Sequence, residues 1–213
     1  MRLHQTVIVI VLTALLISSN HLTGEEKNPL FRFNDQQIKK LQAGEPVCKY
    51  IKTKEESSVT AGNGECSIII NAPIDRCFEI LSKIDLQVHY VPNKIQSKIV
   101  NKSGDKLLIY NEYRFYGITV KYHSIFTIDK KNYRIEFEID KSKPHDLDEN
   151  TGFYQLEKID EKTTLLTYGS TKLVVGFKVP EAVKKFLLGK SLPAMAMNIK
   201  KYIESNGKWT QKK

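Results

Sequence analysis

From Ile118 to Asp140 the chain alternates strictly enough to leave few folds open to it. Ile118, Val120, Tyr122, Ser124, Phe126 and Ile128 fall on one face, with Thr119, Lys121, His123, Thr127 and Asp129 on the other. The next run repeats the rhythm, with Tyr133, Ile135, Phe137 and Ile139 against Arg134, Glu136, Glu138 and Asp140. A period of two is that of a strand, and two such runs joined by a short turn make an antiparallel hairpin with one wet face. Flanking segments extend the pattern. Ile95–Val100 alternates, residues 101–105 read as a turn, and Leu107–Tyr116 reads as a long strand turned by Gly117. A polar loop at 141–150 precedes strands at Thr151–Ile159 and Thr163–Val175. A meander of this kind must bury its other face against something.

The long helical stretch left to cover it is 180–205, where Val183, Phe186, Leu187, Ala194, Met197 and Ile203 supply apolar side chains. Pro193 lies inside that stretch and should kink it. Upstream, residues 34–42 read as a short helix capped by Asn34 or Asp35 and ended by Gly44 and Pro46. Strands at Val47–Thr53 and Val59–Ile70 flank a polar turn at 54–58. Cys48 and Cys66 are equidistant from Ser57, so a hairpin turning there sets them opposite each other, within reach of a disulfide. Pro73 has no N–H to continue a strand ladder and suits a helix start. Asn71 is a candidate cap, Ile74, Phe78 and Leu81 share a helical face, and Cys77 joins them as a small buried hydrophobe. A second short helix is expected at Asp85–Val91, ended by Pro92.

Residues 1–19 carry Arg2 and His4, then an apolar run from Val7 to Ile17, then Ser18 and Ser19. That order is the order of a secretory signal, and the run is short for a bilayer span, which needs about 20 residues. The expected organisation is a signal peptide at 1–24, an N-terminal extension with a short helix at 25–43, one domain at 44–207 and a basic tail at 208–213. The expected location is secreted or periplasmic, with an uncleaved membrane anchor as the alternative. The chain has 33 Lys and Arg against 24 Asp and Glu, a net +9, and of these only Arg2 lies in 1–24, leaving +8. Such a balance favours anionic surfaces. The lysines are dispersed, which reads more simply as a solvated surface, so an anionic membrane is a candidate partner and nucleic acid is not expected.

One stretch carries a family likeness: "INAPIDRCFEILSKIDLQVHYVPNKIQSKIV", residues 70–100. It has an apolar residue, then Ala-Pro, then a helix with an aromatic and a Leu, a second short helix, and aromatic-Val-Pro before a strand. Residues 152–168, "GFYQLEKIDEKTTLLTY", and 192–204, "LPAMAMNIKKYIE", fit its penultimate hairpin and last helix. The chain resembles the START-like (SRPBCC, helix-grip) superfamily, and within it the polyketide cyclase and coenzyme Q-binding branch. It departs at Lys83, where that family commonly has an acid, and at Val88, near where it often has Pro. The resemblance implies an α+β helix-grip fold: a curved antiparallel sheet wrapped around a long C-terminal helix, with two short helices after the first strands. It also implies a lipid or other hydrophobic small molecule bound between sheet and helix.

The expected cavity residues are Tyr113, Phe115, Tyr122, Phe126, Tyr133, Phe137, Tyr154, Leu187, Met195 and Met197. Aromatic inward faces are ordinarily core; collectively they can wall a pocket whose hydroxyls orient a guest. No His-Glu-x-x-His, Gly-x-Ser-x-Gly or Cys-x-x-Cys is present. Gly189-Lys190-Ser191 lacks the first Gly of a phosphate loop, since position 184 is Lys184. His89, His123 and His145 have no ligand spacing, so neither metal nor cofactor is expected. Asn101-Lys102-Ser103 is a glycosylation sequon that reads more simply as turn chemistry. The expected function is an exported, monomeric carrier of a hydrophobic molecule. The alternatives are an enzyme on a small apolar substrate, which needs a buried acid–base pair, and an interaction module without a cavity that uses 25–43 and the tail with Trp209.

Overall fold

In a computed structural model describing residues 28–52, 60–175 and 191–211, the alternating runs become β3 (Lys94–Ser103), β4 (Lys106–Phe115), β5 (Ile118–Asp129), β6 (Arg134–Ile139), β7 (Glu149–Lys158) and β8 (Thr164–Val175). The two earlier strands are β1 (Val47–Lys52) and β2 (Thr60–Ile70). All eight form one open, curved antiparallel sheet in the order β1-β2-β8-β7-β6-β5-β4-β3. Register shifts at Gly62/Gly64, Lys94/Gln96, Ile99/Asn101 and Thr151/Gly152 insert residues into one strand of a pair. Each such bulge bends its strand and sharpens the local twist.

The helices are α1 (Asp35–Gln42), α2 (Ile74–Leu81) and α3 (Ser191–Glu204), with 3-10 turns at Pro29–Arg32 and Ile84–His89. α3 buries Leu192, Met195, Ala196, Ile199, Tyr202 and Ile203, the three-and-four spacing of an apolar stripe, and packs on β1, β2 and β8. Polar bonds fix its place: Lys200 Nζ donates to the Ile69 carbonyl at 2.8 Å and Asn198 Nδ2 to the Tyr90 carbonyl at 3.0 Å. Pro193 stands in the first turn of the described helix; the part of the expected helix before Ser191, with Val183, Phe186 and Leu187, lies outside the described residues. So do the expected leader at 1–24 and the turn at 54–58.

Local details differ from the expectation in three places. Asn71 does not cap α2: Pro73 holds the N-cap position with no side-chain cap, and the Asn71 N–H donates instead to Glu204 Oε1 of α3 at 2.7 Å. The second short helix is a 3-10 helix. β3 runs through Asn101, Lys102 and Ser103, so the sequon sits on a strand end and only Gly104 and Asp105 turn. The N-terminal segment meets the expected cap, with Asn34 Oδ1 accepting from the Gln37 N–H and Gln37 Oε1 from the Asn34 N–H, both at 3.0 Å. Arg32 grips Glu157 of β7 through both guanidinium nitrogens, at 2.8 and 2.5 Å.

Cys48 and Cys66 are directly paired across β1 and β2 and are joined by a disulfide. Cys77 remains a buried thiol in α2, its pKa pushed up to about 11 by desolvation, and is so unreactive as a nucleophile near neutral pH. A bridge spanning 18 residues restricts the unfolded chain by about 3 kcal/mol. Reduction, or the double substitution Cys48→Ala with Cys66→Ala, should lower unfolding free energy by roughly that amount in urea titrations. A loss under about 1 kcal/mol would mean that the hairpin is held by the sheet alone.

Candidate ligand cavity

The core of the described residues falls into two clusters. The larger joins α2, α3 and strands β2 and β4 to β8; the smaller comprises Phe115, Val120, Tyr122, Ile139 and Leu147. Tyr113 packs against both. A cavity of about 100 Å³ lies at the seam, with Leu192 and Met195 of α3 on one side and Phe115, Val120, Tyr122 and Leu147 on the other. Deeper in, a nook of about 30 Å³ shares the walls Tyr113, Tyr122, Asn150, Tyr168 and Met195 with it and adds Phe126, Phe137 and Tyr154.

The aromatic wall is continuous. Tyr113 stacks on Phe115 and on Tyr122 with ring centroids 6.1 and 5.7 Å apart, and Tyr154 tilts against Tyr168 at 5.0 Å. Strand pairing explains it, since Tyr113 is opposite Val120 on β5 and Tyr154 opposite Tyr168 on β8, all on the inward face. The hydroxyls are held: Asn150 Nδ2 donates to Tyr122 Oη at 3.1 Å and Gln87 Nε2 to Tyr154 Oη at 3.2 Å. Burial pushes the Tyr122 phenol up to about 12 and raises Tyr113, Tyr154 and Tyr168 as well, so these groups are neutral near pH 7.

Of the expected cavity residues, Tyr113, Phe115, Tyr122 and Met195 line the outer space, and Phe126, Phe137 and Tyr154 the nook. Leu187 lies outside the described residues. Met197 is half-buried against the larger cluster and lines neither space. Tyr133 packs against the larger cluster and lines neither space. It precedes β6 in a turn with φ +49°, packs edge-on against Phe78 and donates from its hydroxyl to Asp75 Oδ1 at 3.0 Å.

The residue that sequence reasoning missed is Lys94. Its side chain is 2% exposed and lines the nook. Nζ donates to Gln87 Oε1 at 2.5 Å and to Asn111 Oδ1 at 2.7 Å, and lies 5.1 Å from the centre of the Tyr113 ring. Burial lowers its pKa to about 7. None of the described residues lining either space is Asp, Glu or His. Among the described residues, no cluster of three or more His, Cys, Asp or Glu is placed to hold a metal.

No protein-family model matches this chain, and no curated protein matches it. Solved structures do. A START superfamily protein from Mycobacterium smegmatis superposes with a TM-score of 0.56 at 13% identity, over 70% of this chain and 99% of that one. The fold is START-like. A protein of Thermus thermophilus has a TM-score of 0.57 at 14% identity, over 67% of this chain and 97% of its own. A STAR-related lipid transfer protein from Xanthomonas axonopodis gives 0.53 at 11%, over 72% and 98%. In the START-like fold the sheet curves about the C-terminal helix, which is where the seam and its nook lie in this chain.

Proposed function

We propose that the chain binds a lipid or other hydrophobic small molecule between the sheet and α3, outside the cytoplasm. The observation that carries this is the space of about 100 Å³ left between α3 and the aromatic wall, lined mostly by apolar side chains. Interiors ordinarily close such gaps, because each lost contact costs dispersion energy. A guest restores those contacts, and each methylene it buries contributes about 0.8 kcal/mol. An apolar cavity of about 150 Å³ takes a benzene ring, so this one suits a ring or several methylenes. A longer chain displaces the adaptable Met195. The likeness to a lipid transfer protein supports the reading. The Cys48–Cys66 disulfide and the signal-like residues 1–24 support export, since disulfides persist in oxidising compartments. The charge of +8 that remains without residues 1–24 suits collection of the guest from an anionic membrane.

The test is binding of a neutral fluorophore, N-phenyl-1-naphthylamine, to the full chain. Ser170, half-buried on β8, lines the outer cavity. Ser170→Phe should fill the space, weaken the fluorophore at least tenfold and leave the melting temperature unchanged or raised. Absence of any fluorophore binding, together with no apolar molecule released on denaturation in mass spectra, would end this reading.

A further inference from the structure

A lysine sealed in an aromatic core without a counter-ion is an unusual thing to keep. The surroundings of Lys94 are built to hold it. Asn111 uses its NH₂ on Ser124 Oγ at 3.1 Å and on the Ile109 carbonyl at 3.3 Å. Gln87 uses its own on Tyr154 Oη. Each amide is thereby turned so that its carbonyl oxygen faces Nζ. Two acceptors suit the two N–H groups of a neutral amine and leave its lone pair over. They also suit two of the three N–H groups of an ammonium and leave one over; among the described residues no third hydrogen bond is formed. In either protonation state one position on Nζ is unused, at the inner end of an apolar cavity.

We propose that the guest is a carboxylic acid and that Lys94 recognises its head. This inference rests on the binding function proposed above. Near neutral pH the acid arrives as its carboxylate; a proton taken from the solvent forms the third N–H bond on Nζ where the amine is neutral, and the carboxylate accepts that N–H. The ion pair then supplies the counter-charge that the site lacks, while the apolar remainder occupies the seam. Charge-assisted hydrogen bonds of this kind are about twice as strong as neutral ones.

Electrostatics agree. The titratable groups facing Lys94 are Tyr113 on β4, Tyr122 on β5, Tyr154 on β7 and Tyr168 on β8, all held neutral by burial. The carboxylate nearest in sequence on β4, Glu112, belongs to the outer face and accepts from Tyr110 Oη at 3.2 Å. The amine, lowered to about 7 by desolvation alone, is therefore ready to take a proton when an anion arrives.

Displacement of N-phenyl-1-naphthylamine from the full chain by octanoic acid, 1-octanol and methyl octanoate tests this. At about pH 6 the acid should bind at least tenfold more tightly than the alcohol or ester. Its affinity should be flat from about pH 5.5 to 7 and fall about tenfold between pH 8 and 9, as the amine loses its proton. Lys94→Met should remove the acid's advantage over octanol. Because that variant also strands two amide oxygens, the unaltered protein provides an independent reading. Calorimetry at about pH 8 in two buffers of different ionisation enthalpy should show close to one proton taken up per acid bound, and none for octanol. Equal affinity of acid and alcohol without proton uptake would overturn the inference, as would fluorophore displacement by none of the three. Both results leave the binding function standing. Failure of the fluorophore itself to bind removes both.

Discussion

Gly152→Ala is expected to destabilise the protein by more than about 3 kcal/mol, measured by urea or guanidinium unfolding. A Cβ at this position would run into the carbonyl oxygen of Gly169 on β8 and the ring of Phe137 on β6. The backbone oxygen cannot move without breaking the β7–β8 ladder, and Phe137 cannot move without entering the nook beside Tyr154. Gly104→Ala is the control. Nothing lies within 4 Å of its Cβ, and only its φ of +60° opposes substitution, at about 1 kcal/mol. Similar losses at the two sites would mean that β7 yields to a side chain at Gly152.

Lys94 should add about 3 kcal/mol of stability between pH 7 and pH 9.5, offset by about 1 kcal/mol from Cys77, whose unfolded thiol ionises near 8.5 while the buried one keeps its proton, and Lys94→Met should abolish the net rise. An unfolded lysine keeps its proton to about pH 10.4, whereas folded Lys94 releases it near 7. Between these values the unfolded chain binds more protons, so unfolding free energy increases with pH. The contribution is complete above the unfolded value, declines as pH falls, and is gone below the folded one. The window stops at about 9.5 because the buried tyrosines work the other way above about pH 10, where only their unfolded forms ionise. Guanidinium titrations at half-unit steps read the slope directly. A flat profile in the unaltered protein would show that the amine stays charged in the core.

The meander was legible because one wet face writes a period of two, and β5 carries it from Val120 through Phe126 without interruption. The disulfide pairing was legible because a hairpin has a centre, and Ser57 marks it. Tyr133 keeps the parity of its buried neighbours Ile135 and Phe137 but stands in the turn before β6, where it packs on Phe78 of α2 and reaches neither space. Lys94 was invisible for two reasons. A lysine reads as surface in any pattern, and the shift between Lys94 and Gln96 turns Lys94 and Ser97 inward while Ile95, the apolar residue, is left half-exposed. Nothing in composition announces a bulge. Nor does sequence spacing show that Gln87, on the 3-10 helix, and Asn111, on β4, converge on one amine.

The C-terminal segment has a practical use. Trp209 is the single tryptophan of the chain. It packs half-buried against the larger cluster, with its backbone N–H donating to Ser205 Oγ at 2.8 Å and Lys201 Nζ 5.7 Å from its ring. Two residues on, Gln211 donates to the carbonyls of Val88, His89 and Val91. Indole emission from this protein therefore watches one spot, the place where the end of the gripping helix is strapped to the loop ahead of β3. A guest that pries the helix away should shift that emission to the red, and one that merely slips into the seam should leave it alone, so a single spectrum separates opening from filling.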